Sequence, residues 1–321
     1  MNSIDRLRKI FLRSLESDFS EPEWNRQPDS LYAPQRYILG IGGKRLRPIL
    51  ALMAAESMGR NALEALPVAH AVERFHNFSL IHDDIMDEAP IRRGKSTVHE
   101  NWGLNTGILS GDALMVMAYK SLLKAPKSMI HDLFETFNQT ALEVCEGQQM
   151  DMDFESLDRI EEGQYLNMIR NKTAVLIGCS LQMGSLIAGA SKEVSKSLFN
   201  FGIELGISFQ IHDDLLDAFG TVETFGKQIG GDIRSQKKTL LWIHFSNHQP
   251  ETLKSIINSG SKNKVKEILY AMESTGSRAY VEAQRKKHFD SAITSLHNVK
   301  RNNCDTKDLE SLANWIFDRE V

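Results

Sequence analysis

Seven of the eight prolines fall at or before Pro126, and none lies between Pro126 and Pro250. Proline removes a backbone donor and clashes with the preceding helical turn, so a stretch without it can hold long unbroken helices. Strong helix formers and helical periodicity dominate that stretch, and no segment sustains the alternation of a strand. The chain therefore reads as all-α. Helices are predicted near residues 3–19, 30–40, 47–59, 67–88, 106–124, 127–158, 163–189, 192–219 and 236–247, with several shorter ones to the end. No Ser/Pro/Gly-rich linker divides the sequence, so one domain over 1–321 is expected.

Hydrophobic residues make up 41% of the chain, enough for a substantial core. The segment beginning MNSIDRLRKIF carries charges every few residues and reads as an amphipathic helix, not a signal peptide. Ala174 to Ala190 is the most apolar stretch, but Ser180, Gln182, Ser185 and several glycines interrupt it. It is expected to be a buried core helix and not a membrane span. A net charge of -4 gives no basis for a nucleic-acid partner, so any basic site must be local. Cys145, Cys179 and Cys304 are odd in number and far apart, which suits a reducing cytoplasm better than a disulfide framework or zinc site.

One pattern occurs twice: His-Asp-Asp, two apolar residues and a third Asp, at His82 to Asp87 and at His212 to Asp217. On helices, neighbours three and four apart share a face. His76, Ser79, Asp83 and Asp87 then form one polar stripe, and Gln210, Asp213 and Asp217 another. Beside the first runs an apolar stripe, Val68, Val72, Phe75, Phe78 and Ile85, directed into a core. Carboxylates placed beside a core need neutralising. Oxygen-only ligands with no cysteine nearby favour Mg²⁺ or Mn²⁺.

Basic motifs accompany both hexads. Gly42-Gly43-Lys44-Arg45-Leu46-Arg47-Pro48 sets three cations on a flexible junction, with Pro48 suited to the first turn of the next helix. Pro90 ends the first acidic helix, and the following loop returns Arg92 and Arg93 towards its tip. The second hexad is followed by Lys227, Lys237 and Lys238 among glycines, and Lys172-Thr173 opens the apolar helix. Together these features ask for a ligand with more negative charge than one phosphate, and two diphosphates would fit.

The two aspartate motifs, GGKRLRP, the Arg-Arg-Gly after the first motif and the GK…GGD…K-x-T loop after the second resemble the trans-isoprenyl diphosphate synthase (polyprenyl synthetase) family. The resemblance runs from about Gly42 to Thr239. It implies an all-α bundle around a deep central cavity, a homodimer, and aspartate helices facing each other near the cavity mouth. By that resemblance Asp83 and Asp87 are ligands for two Mg²⁺ ions and Asp213 for a third, with Asp84 and Asp217 behind them. Arg92, Lys172, Lys227 and Lys237 would grip the diphosphate of a C5 to C15 allylic substrate. Lys44, Arg47, His76 and Arg93 would hold isopentenyl diphosphate, while Thr173 and Gln210 would face the developing allylic cation. Gln148 and Asp151, in GQQMD, also match a family motif.

Residues four and five before the first motif, Ser79 and Phe78, resemble the family's floor for the growing chain. Five residues of helix correspond to about 7.5 Å of depth, and Phe78 lies on the flank of Asp83, so a C15 to C20 product is expected. Ser235-Gln236 replaces the more usual Glu-Gly, and Leu241 stands where Pro is common, which leaves Lys237 and Lys238 as alternatives for one role. Three other readings fit less well. A class I terpene cyclase needs neither the second aspartate motif nor GGKRLRP. A phosphohydrolase using the hexad histidines needs His and the next Asp to converge, which a helix prevents. A non-catalytic subunit of a heteromeric synthase can lose an aspartate motif, and here both are intact.

Overall fold

The structure is a computed structural model that describes residues 2–220 and 230–318. Two compact units emerge from its packing. One comprises residues 1–138, 179–199 and 299–309, the other 139–178, 200–298 and 310–321. The described residues are helical almost throughout. The strands among the described residues form one antiparallel hairpin of two-residue strands, β1 (Ile91–Arg92) and β2 (Lys95–Ser96), with Ile91 opposite Ser96.

The first unit is built on α1 (Asn2–Phe19), α2 (Asp29–Gly40), α3 (Leu46–Ser57), α4 (Leu66–Met86), α5 (Val98–Trp102) and α6 (Leu104–Leu122). Helix α4 is buried around most of its circumference, as Val68, Val72, Phe75 and Phe78 predicted. Ile85 is only half-buried, because it lies at the open end of α4 where its Cδ1 meets Gly107 of α6. A helix so enclosed must also bury its polar residues, and each finds a partner. Glu73 accepts from Arg45 and from Asn77 Nδ2, the latter at 3.1 Å. Arg74 pairs with Asp18, which also accepts from Trp24 Nε1 at 2.8 Å. His70 Nε2 lies 2.7 Å from the Ser14 hydroxyl.

Helices α7 (Ile130–Ser156), α9 (Val175–Ile187) and Ser277–Lys300 each have residues in both units. Helix α10 (Lys192–Phe219) is shared likewise, with residues 192–199 in the first unit and the rest in the second, which also contains α8 (Glu162–Ile169) and the short helices Gly231–Arg234 and Leu240–His248. The apolar stretch is a core helix as expected: Val175, Leu176, Ile177, Leu181 and Met183 are buried. In the first unit, a Cβ on Gly184 would lie 2.2 Å from the Ala51 carbonyl oxygen, so α9 and α3 approach closely there. Among the described residues no helix is long and apolar enough to cross a membrane.

Three boundaries differ from the sequence reading. The helix predicted over 163–189 is α8, a π-helical turn at Arg170–Ala174, and α9. The helix predicted from 236 starts at Leu240, because Thr239 takes the N-cap and accepts from Trp242 N at 3.5 Å. Ser277–Lys300 runs 24 residues where shorter helices were expected. Its buried apolar residues, Val281, Phe289, Ala292, Leu296 and Val299, are spread among many charges and give a weak periodic signal.

The pocket around His70 generates a pH prediction. Burial, reinforced by Arg74, pushes the His70 pKa down to about 4. Between an unfolded value of about 6.5 and that folded value, only the unfolded chain binds the proton. Stability is therefore lost as pH falls through this window. From pH 7.5 to 4.5, denaturant unfolding should show His70→Gln losing about 2 kcal/mol less than the parent. Equal losses in the two proteins would sink this assignment.

Candidate active site

The first hexad closes α4: Asp83 and Asp84 lie in its last turn, and Asp87 is its C-cap. Asp84 is 1% exposed and receives Arg92 Nε at 2.8 Å on each oxygen, while Arg92 Nη2 reaches Asp83 Oδ2 at 3.3 Å. Burial pushes the Asp84 carboxyl up, and Arg92 opposes that rise. Asp83 is half-buried and Asp87 exposed, one turn apart. Carboxylates at the negative end of a helix are held against its dipole. A hard cation offsets both charges, so this all-oxygen set fits Mg²⁺ chemistry.

The neighbouring histidine points elsewhere. His82 Nε2 lies 3.1 Å from the Ile108 carbonyl of α6, and a Cβ on Gly111 would fall 2.3 Å from that nitrogen. His82 thus packs α4 against α6, which removes it from the ligand set that a phosphohydrolase would need. Phe78 sits in the same column, its ring 4.8 Å from His82 and 5.3 Å from Phe75. This is the flanking placement that helical geometry predicted. Ser79 is half-buried and its hydroxyl donates to the His76 carbonyl at 2.8 Å.

Below the hexad, the glycine-rich loop and the hairpin meet. Gly42 and Gly43 adopt positive φ, and a Cβ on Gly43 would lie 2.6 Å from the Arg93 guanidinium carbon. Arg93 Nη1 donates to the Gly42 carbonyl. Arg47 Nη1 stands 3.2 Å from His76 Nε2. Since arginine only donates, Nε2 accepts and the His76 ring is neutral. Burial, then Arg47, Arg93 and Arg92, hold the His76 pKa well below its usual range. Burial also brings Arg47 down to about 10, and Arg47 Nε is buried with no hydrogen-bond partner among the described residues.

Lys44 is exposed at the edge of this group. Arg45, read from sequence as a third anion-attracting cation, is not available for that role. Its left-handed backbone, φ 54°, turns the side chain inward to Glu73 and the Leu39 carbonyl.

In the second unit, Lys172-Thr173 lies on the π-helical turn at Arg170–Ala174. Such turns insert an extra residue and often mark functional sites. Two glycines make room for it. A Cβ on Gly147 of α7 would be 2.2 Å from Lys172 N, and one on Gly206 of α10 would be 2.7 Å from Ala174 Cα. Asp151, one α7 turn beyond Gly147, then takes Lys172 Nζ at 2.5 Å and Lys237 Nζ at 3.7 Å. Burial favours the protonated Asp151 carboxyl, but Lys237 and Lys172 overcome it and hold its pKa low.

Asp151, Met168, Gln236 and Lys237 line a cavity of about 250 Å³. Lys238 lines the same cavity but donates to the Glu155 carbonyl at 3.3 Å, whereas Lys237 faces Asp151, so the two lysines differ in partner. Gln236 has φ 55°, a left-handed conformation that favours glycine, which accounts for the usual Gly there.

Within the second hexad the carboxylates differ. Asp213 is half-buried. Asp217 anchors the following segment: its Oδ2 accepts from Asp232 N at 2.9 Å, and its carbonyl accepts from Gly230 N at 2.6 Å. Asp214 accepts from Tyr165 and, at 3.1 Å, from Gln210 Nε2, while Gln210 Oε1 accepts from Thr173 at 3.1 Å. Burial, with Asp232 nearby, lifts Asp214 to about 7. Tyr165 and Asp214 were not anticipated as a pair, because no spacing rule links positions 49 apart. Lys227 lies outside the described residues.

The Polyprenyl synthetase family model matches residues 28–274. The chain belongs to the polyprenyl synthetase family. It is 37% identical over 297 residues to the geranylgeranyl pyrophosphate synthase of Geoglobus acetivorans, covering 92% of each chain. It is 34% identical to the geranylfarnesyl diphosphate synthase of Aeropyrum pernix, covering 91% of this chain and 95% of that one. A crystal structure of a geranylgeranyl pyrophosphate synthase superposes with a TM-score of 0.91 at 41% identity, over 100% of both chains. The family match spans both aspartate motifs and the segment from GGKRLRP to the Lys237 loop, and these structural neighbours carry the all-α isoprenoid synthase fold.

The clustering at Asp151 gives a testable consequence for this family member. Asp151→Asn removes the charge that gathers Lys172 and Lys237, so prenyltransfer kcat/KM should fall about 10- to 100-fold, as for supporting residues around a charged site. Steady-state kinetics at saturating Mg²⁺ measure this. A change under twofold would remove Asp151 from the site.

Proposed function

We propose that this chain is a short-chain trans-prenyltransferase that joins isopentenyl diphosphate head-to-tail to a C5 to C15 allylic diphosphate and releases a C15 to C20 product. The observation that carries this reading is the pairing of two anion-seeking groups along one face of α4. Arg92 lies against Asp83 and Asp84 at the helix end. Arg47 stands beside neutral His76 two turns earlier, with its Nε unpartnered among the described residues. One group suits a diphosphate approached with metal and the other a diphosphate held by guanidiniums. A cyclase or phosphohydrolase has no use for the second.

The assignment of residues follows that division. Lys44, Arg47, His76 and Arg93 hold isopentenyl diphosphate, while Arg92, Lys172, Lys227 and Lys237 bind the allylic diphosphate. Asp83, Asp87 and Asp213 would hold Mg²⁺, three ions on the family pattern, with Mn²⁺ as an alternative. When bound, Mg²⁺ supplies positive charge at the leaving diphosphate and favours its departure. The lysines and Arg92 stabilise the same charge as the allylic C–O bond breaks. Gln210 and Thr173 present oxygens to the allylic carbon. The alkene of isopentenyl diphosphate forms the new C–C bond, and its proton passes to the released diphosphate.

Phe78 and Ser79 set the product length in this reading. Both units would work as one domain, a view supported by the single family match running through segments of each. Three free cysteines are consistent with a cytoplasmic setting. A homodimer is supported by the exposed apolar residues of α6 and its C-cap, Leu104, Ile108, Leu109, Val116 and Leu123. Val116→Lys with Leu123→Lys should shift the protein from dimer to monomer by light scattering. A monomeric parent would overturn the dimer.

The activity is tested with purified protein, Mg²⁺, isopentenyl diphosphate and C5, C10 or C15 allylic diphosphates, sizing products by mass spectrometry. The parent should give a C15 or C20 diphosphate, and Phe78→Ala should extend it by at least one C5 unit. Diphosphate release without elongation would point to a cyclase or hydrolase, and a main product of C30 or longer would refute the role of Phe78.

A further inference from the structure

In the second unit, Thr173, Gln210, Asp214 and Tyr165 form a hydrogen-bond chain with a defined direction. Thr173 Oγ1 donates to Gln210 Oε1 at 3.1 Å, Gln210 Nε2 donates to Asp214 Oδ1 at 3.1 Å, and the Tyr165 hydroxyl donates to Asp214 Oδ2. Tyr165 is 1% exposed and Asp214 is buried, so water does not supply alternative partners. An amide side chain presents either oxygen or NH₂ to a neighbour, and its network decides which. Both Asp214 oxygens are occupied as acceptors, Oδ1 by Gln210 and Oδ2 by Tyr165, so the group is held as a carboxylate despite its raised pKa, and a carboxylate only accepts. Asp214 therefore draws the Gln210 amide nitrogen, which leaves the amide oxygen turned to Thr173. The single Thr173 proton is then committed to that oxygen, and the lone pairs of the hydroxyl are left to face the reacting carbon.

We propose that Tyr165 and Asp214 are positioning residues that fix the polarity of the Gln210–Thr173 pair, so that oxygen lone pairs and not N–H or O–H protons face the developing allylic cation. This rests on the prenyltransferase reading above, in which Thr173 and Gln210 lie beside that carbon. Reversal of the chain would present a positive dipole end to a forming cation and slow ionisation without weakening diphosphate binding. Tyr165 occupies the second oxygen of Asp214, so the carboxylate does not rotate away from Gln210. The two residues touch neither substrate in this scheme.

The test exploits a swap of donor and acceptor. Asp214→Asn lets position 214 donate, so the amide of Gln210 loses its bias. The expected result is a kcat about 10- to 100-fold lower, as for loss of a hydrogen bond to a charged group. KM for both diphosphates and the half-saturating Mg²⁺ concentration should stay within about twofold. Adding Gln210→Glu to Asp214→Asn restores an acceptor for Thr173 at the same net charge, and kcat should recover at least about fivefold.

A structural role or a metal-binding role for Asp214 predicts no such rescue. Tyr165→Phe serves if Asp214→Asn does not fold, and its kcat should drop about 3- to 10-fold with KM unchanged. An active parent with unchanged kcat in Asp214→Asn or Tyr165→Phe, or with no recovery in the double variant, overturns the proposal. A parent that makes no elongated product overturns the underlying reading instead.

Discussion

The arrangement of the first unit depends on buried charges that are paired. Helix α4 runs through the packed interior carrying Glu73 and Arg74, and each is matched by a partner on a different segment, Arg45 and Asp18. Removing one member of a buried pair typically costs about 3–5 kcal/mol, because the other is left uncompensated. These pairs therefore fix both the rotation of α4 and its neighbours. With the rotation set, His76, Ser79, Asp83 and Asp87 lie along one side of the helix, while His82 turns to α6 and Asp84 is buried. The same constraint that settles packing thus settles which carboxylates reach the surface.

Small residues perform the equivalent task in the second unit. Gly147 and Gly206 let two long helices close on the backbone around Lys172 to Ala174. That proximity places Asp151 against the lysines and Thr173 against Gln210. Side-chain chemistry at this site is therefore inherited from an absence of side chains nearby. The Arg93 guanidinium resting over Gly43 is a further instance, in the first unit.

Much of this was legible in the sequence, because it is local. Proline spacing gave the long helices, helical arithmetic gave the Asp83/Asp87 face and the sideways position of Phe78, and adjacent glycines marked a flexible junction. Other features depended on residues far apart in the chain. Nothing near Arg45 distinguishes it from Lys44 and Arg47, yet its left-handed backbone and Glu73 make it a structural cation. Nothing in the sequence near Tyr165 points to Asp214, 49 positions away, as the partner of its hydroxyl. The π-helical turn was read as continuous α-helix because one extra residue barely disturbs a hydrophobic pattern.

That turn has a consequence of its own. A π turn accommodates one more residue than an α turn, so it rotates everything on one side by roughly 100° relative to an uninterrupted helix. Helices α8 and α9 are thereby out of phase by about one residue. Each can satisfy its own packing demands, Tyr165 turned to Asp214 on one and the apolar run of Val175 to Met183 buried on the other. Arg170–Ala174 acts as a gear between two helical registers, and Lys172 and Thr173 ride on the tooth. A lineage that lost one residue here would keep every functional side chain in its sequence and lose their alignment.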